Sequence, residues 1–230
     1  MPVNCDAYKG GLTASHEAKD SIMKRIHQNR IDNTKDEQQQ NDGQEEAFKL
    51  APFNPSSDQI QNKALHMLDL GPSDVLFDIG CGDGRFLCFA ANQIRGLQCV
   101  GIELEREYVY RARVKVREAK LEDLIDIRLQ DATKASETNN NSDVEKVGVQ
   151  SLTLSEDATA LYLFILPKGI VKMMPILESL RKRRLAEGKR LQVLSYMFQI
   201  HDWEATKTDE TAKGSCPVYY YDFNGTTTSK

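Results

Sequence analysis

The chain has 230 residues, of which 40% are hydrophobic and 28% charged, and its formal net charge is −4. This is enough for one domain of ordinary size plus a tail. The acidic balance argues against a general affinity for nucleic acid, and no apolar run reaches the ~18 residues of a membrane span.

The five cysteines form no C-x-x-C pair, and the four histidines are scattered, so neither a disulfide framework nor a metal site is expected. Residues 1–47 read as a tail, disordered or weakly helical. Asn33 to Glu46 is almost wholly polar and cannot bury enough apolar surface to offset the entropy of ordering it. Ala18, Ile22 and Ile26 recur every four residues, but a helix that short is marginal without a partner. Asp6, Glu17 and Asp20, with no apolar stretch among them, fit neither a secretory signal nor a typical mitochondrial presequence.

The folded domain is expected over 48–230. Pro55-Ser56-Ser57-Asp58 starts a helix with serine as its N-cap. Ile60, Ala64, Leu65 and Leu68 share its inner face, and Gly71-Pro72 ends it. A strand over about 75–79 runs into Gly80-Cys81-Gly82-Asp83-Gly84 and then a helix over about 84–94. A second strand over about 98–103 ends on Glu103, a helix follows over about 105–119, and a third strand over about 125–129 leads to Asp131. Residues 136–157, with Asn139-Asn140-Asn141 and many acids, read as a surface loop insertion. The apolar run Thr159 to Leu166 is a central strand broken by Pro167 and Gly169. A helix over about 170–184, a strand over about 191–197 and a last strand over about 217–223 complete the series. The alternation predicts an α/β fold, doubly wound, with a mainly parallel sheet and a terminal antiparallel hairpin.

The glycines permit close approach of backbone to a ligand, and Glu103 lies about 20 residues beyond them, where nucleotide-binding α/β folds hold a ribose. The spacing is D-x-G-x-G-x-G from Asp78, whereas the dinucleotide fingerprint is G-x-G-x-x-G. It resembles motif I of the Rossmann-like, seven-strand methyltransferases that use S-adenosyl-L-methionine. In that reading Gly80, Cys81, Gly82 and Gly84 cradle the cofactor, and Asp78 faces its ammonium through water or binds loop amides. Glu103 takes both ribose hydroxyls, and Asp131 accepts from the adenine amine or simply makes a turn. Cys81 is a small filler or a thiol whose pKa is lowered by the following helix. Arg85 pairs with Asp83, meets the ligand carboxylate or is solvated.

Three further segments sharpen the resemblance. Phe53-Asn54-Pro55-Ser56 precedes the first helix, Ser195-Tyr196-Met197-Phe198 through Trp203 follows the fifth strand, and Tyr219-Tyr220-Tyr221 lies near the end. With the strand Leu161 to Pro167, this order is similar to a family of small protein-lysine methyltransferases, archaeal and mitochondrial. Strand four lacks an N-P-P-Y motif, so methylation of a nucleobase or glutamine is disfavoured. The resemblance implies an enzyme that methylates the ε-amine of a lysine in a protein partner; a small metabolite or RNA is the alternative acceptor. Phe53, Phe164, Tyr196 and Trp203 are candidates for an aromatic channel, although core packing is the commoner role of such residues. Asn54 and Ser195 are candidates to orient the amine. A cytoplasmic monomer is expected, with mitochondria as the location the family suggests.

Overall fold

In a computed structural model, residues 50, 53–135, 148–210 and 216–224 are described. The expected tail at 1–47 lies outside them. The element order is α1 (Asp58–Met67), β1 (Val75–Ile79), α2 (Arg85–Gln93), β2 (Gln98–Glu103), α3 (Arg106–Glu118) and β3 (Ile125–Leu129). It continues with α4 (Leu154–Asp157), β4 (Ala160–Leu163), α5 (Pro167–Ala186), β5 (Leu191–Tyr196), β6 (Lys207–Asp209) and β7 (Val218–Phe223).

The seven strands form one sheet in the order β3-β2-β1-β4-β5-β7-β6. The first five are parallel, and β7 enters antiparallel to both β5 and β6. Connections run one way from β1 to β3 and the other way through β4 and β5. The topology therefore switches between β1 and β4, where open α/β sheets place their ligands.

Strand periodicity divides the core. Leu76, with Cys99, Tyr162 and Leu194, packs under α1, α2 and α3. Phe77, Ile79, Leu161, Leu163 and Val193 face the other way, onto Met173 and Leu177 of α5. The side chain of Ser57 accepts from Ile60 N and caps α1, which ends at Leu68, three residues before Gly71-Pro72.

Three differences from the sequence-based expectation have physical causes. Strand β4 leaves the ladder after Leu163, so that Phe164 and Ile165 turn into a cleft and Leu166 becomes the N-cap of α5. The helix starts at Pro167, because a proline at its first position loses no intrahelical bond. Within the expected loop, 136–147 lies outside the described residues. The remainder holds a 3₁₀ turn at Gly148–Ser151 and the helix α4, anchored by buried Val149 and Leu154. Strand β6 was not anticipated, since Lys-Thr-Asp shows no apolar alternation.

Candidate active site

The site begins where β1 ends. Gly80 N and Cys81 N both donate to Ile102 O, at 2.8 and 3.1 Å, which folds the chain over the end of β2. Gly80, Gly82 and Gly84 have φ of 77°, 53° and 70°, a region open to glycine. At Gly82 space is also limiting: a Cβ would lie 2.7 Å from the Phe53 ring. A glycine outside the motif matters as well. A Cβ on Gly101 of β2 would lie 2.7 Å from Cys81 Sγ and 2.8 Å from Ile127 Cδ1. Its signal was the absence of a side chain in an otherwise apolar strand.

Glu103 ties this loop to the next one. Its Oε2 accepts from Gly82 N at 2.9 Å, and its Oε1 accepts from Leu104 N at 2.8 Å and Glu105 N at 2.9 Å. A carboxylate offers about four acceptor positions, so one remains beyond these three. The expectation that both oxygens are reserved for ribose hydroxyls thus meets a second duty, fixing the shape of the loop.

Asp78 is 3% exposed, and it borders the cleft. Burial, followed by repulsion from Glu103 and Asp83, pushes its pKa well above the usual carboxylate range. Cys81 departs from one expectation. Burial and the neighbouring Asp78 and Glu103 push its thiol pKa up, outweighing any lowering at the helix start. Asp83 sits opposite two cations, accepting from Arg85 Nη2 and Lys115 Nζ, each at 2.7 Å. Burial alone would raise its pKa, but these bonds hold it at about 2. Arg85 is thus engaged with Asp83, one of the alternatives open in the sequence. Asp131 uses Oδ1 to accept from Thr133 N at 2.9 Å and from the Thr133 hydroxyl at 2.6 Å, so it does cap a turn, at the cleft wall.

The cleft joins these groups to a second, aromatic end. Asp78, Gly80, Cys81, Gly82, Glu103 and Asp131 line it, together with Phe53, Asn54, Tyr108, Tyr162 and Phe164. Gly84 lies behind the loop, packed on Ala112 of α3. Phe53 stacks on Tyr108, with centroids 4.3 Å apart and planes at 18°. Tyr108 and Tyr162 were not singled out in the sequence, because each lies in an amphipathic or apolar run that already explains an aromatic.

Three expected acceptor residues lie elsewhere. Trp203 is buried against Tyr221 and Phe223 and donates its Nε1–H to Glu178 Oε1 at 2.5 Å, locking the loop after β5 to α5. Ser195 is buried and donates to Phe198 O at 2.6 Å. Tyr196 packs behind Phe164 at 4.6 Å and does not line the cleft itself. Ser195 and Tyr196 end β5, and Trp203 lies in the loop after it, packed between α5 and β7.

Residues 76–159 match a methyltransferase domain model. A crystal structure of an RNA methyltransferase from Salinibacter ruber, in complex with S-adenosyl-L-homocysteine, superposes with a TM-score of 0.56. It is 26% identical, and the match covers 74% of this chain and 94% of that one. The chain is a class I S-adenosylmethionine-dependent methyltransferase. A protein-lysine N-methyltransferase of Saccharolobus islandicus is 27% identical over 172 residues, 74% of this chain and 92% of that protein. An uncharacterized RNA methyltransferase of Protochlamydia amoebophila is 35% identical over 77 residues, but these make up only 17% of its length. In this methyltransferase the cleft opens at the topological switch, where open α/β sheets place their ligands. No helix among the described residues is long and apolar enough to cross a membrane.

Proposed function

We propose that the enzyme methylates the ε-amine of lysine in a protein substrate. The observation that carries this reading is the wall at the end of β4. It presents Phe164, Ile165 and, from the neighbouring segment, Phe53 and Asn54, with no paired prolines to grip a planar base. Similarity spanning nearly the whole of the archaeal lysine methyltransferase supports it.

The buried Asp78 carboxyl at the end of β1 is the candidate to meet the cofactor's ammonium, and the open acceptor position of Glu103 suits a ribose hydroxyl. Asp131, on the cleft wall, is the candidate to accept from the adenine amine. The bound cofactor supplies an electrophilic methyl group, so the protein's task is alignment and exclusion of water. A lysine with pKa near 10.4 is neutral about once in 2500 at pH 7. Burial among Phe53 and Phe164 favours that neutral form, since desolvation penalises the ammonium. Asn54 then offers its side-chain oxygen to an amine N–H.

A second reading, RNA as acceptor, draws on the similarity to the Salinibacter enzyme. Labelled S-adenosylmethionine with a cell lysate separates the two. Label removed by protease, found on lysine by mass spectrometry and incorporated faster as pH rises from 7 to 9 is the expected result. Label removed by nuclease would reject it.

A further inference from the structure

Beneath the aromatic end of the cleft, two hydroxyls from opposite parts of the chain meet. Ser56 Oγ and Tyr162 Oη lie 2.7 Å apart and share a hydrogen bond. Both residues are buried, at 6% and 2% exposure, yet both border the cleft. Tyr162 stands on β4 at the topological switch, opposite Asp78 of β1 in the strand register. Its ring is fixed by Phe86 of α2, with centroids 4.2 Å apart. Ser56 is held from the other side too, because Gln61 Nε2 donates to its carbonyl at 3.0 Å. Burial keeps the phenol neutral, pushing its pKa up.

These contacts fix the segment that carries Asn54. Between Asn54 and Ser56 stands only Pro55, whose ring restricts the backbone. A hydroxyl that anchors Ser56 therefore sets where Asn54 points. We propose that Tyr162 is a positioning residue for methyl transfer: through Ser56 and the rigid Pro55 it holds Asn54 at the mouth where the acceptor meets the cofactor. This rests on the reading that Asn54 faces the acceptor. It explains why a polar phenol is buried in a strand that is otherwise apolar, since a phenylalanine would pack equally well on Phe86 but would leave Ser56 without its partner.

The test uses the full chain and the labelled-lysate assay at saturating cofactor, with the lysate load varied. Tyr162→Phe keeps the ring and removes only the hydroxyl. It should lower turnover by about tenfold to a hundredfold, the scale of a misplacement near 1 Å, while calorimetric affinity for S-adenosylhomocysteine stays within about twofold. Ser56→Ala should do the same, and the double variant should be no worse than the poorer single one, because the two act as one unit. Ser56→Thr, which restores the hydroxyl, should recover most of the rate. Parental turnover in Tyr162→Phe or in Asn54→Ala would overturn the proposal. So would parallel losses of cofactor affinity and rate, which mark a general lesion in the fold. Label on nucleic acid would instead reject the lysine reading and leave the effect of Tyr162 to be judged by the same rates.

Discussion

Replacing Glu103 with alanine should damage two things at once, and the structure gives the size of each. The carboxylate accepts three backbone N–H groups, from Gly82, Leu104 and Glu105. Those of Leu104 and Glu105 lie at the rim, where water replaces the lost acceptor. The Gly82 N–H is buried, and stranding it costs about 1–3 kcal/mol. For a domain of this size, about 2 kcal/mol corresponds to a fall in melting temperature of about 4–8 °C. Binding suffers separately. A lost hydrogen bond between a ribose hydroxyl and a carboxylate weakens affinity by about 1.5–3 kcal/mol, or roughly tenfold to 150-fold in Kd. Calorimetry with S-adenosylhomocysteine and a thermal melt measure the two effects. Glu103→Gln, which retains one acceptor oxygen, should recover part of the stability but little of the affinity. Parental values in both assays for Glu103→Ala would refute the assignment of Glu103 as the link between loop and cofactor.

Gly82→Val should abolish cofactor binding, since its Cβ would enter the Phe53 ring at 2.7 Å and its φ is 53°; equilibrium binding checks this. Asp83→Asn should destabilise the enzyme at pH 7 by about 1 kcal/mol, a figure reduced because Arg85 and Lys115 are about a third exposed. The folded pKa of about 2 lies below the unfolded value, so this stabilisation is complete above about pH 4 and fades as pH falls toward 2. Denaturant melts of parent and variant should converge over that interval. Trp203→Ala should cost about 3–5 kcal/mol of stability by opening a cavity beside Tyr221 and Phe223. Calorimetry on the folded protein should find its cofactor affinity unchanged.

Strands β1, β2 and β3 were legible to the residue, because β1 and β2 are apolar runs that stop at Gly80 and Glu103, and β3 alternates apolar and charged residues. That Asp78, the glycines and Glu103 gather at one cleft was legible too, since they occur at the spacing of a strand-turn-helix unit. The aromatic lining of the cleft was less so. The resemblance of the Ser195 to Trp203 segment to the lysine methyltransferases drew attention to Ser195, Tyr196 and Trp203, but none of the three lines the cleft. Ser56 and Tyr162, which do border it, are 106 positions apart, and no local pattern joins them. The 3₁₀ turn and the helix α4 were hidden because each has a single buried anchor, Val149 and Leu154, set among polar residues.

The place of β7 has a consequence for how the enzyme is made. Among the described residues, those that line the cleft fall between Leu50 and Ile165, whereas the strand that pairs with β5 is Val218–Phe223. On a ribosome, all these cleft residues are synthesised before β5, which then keeps an open edge until Val218–Phe223 emerges, and an unpaired edge invites pairing with other chains. Lesions in β7 should therefore appear chiefly as poor yield and aggregation during synthesis, with near-normal specific activity in the molecules that escape. Lesions in the glycine loop should differ, lowering stability and turnover together in every molecule made, because a side chain there is strained at positive φ.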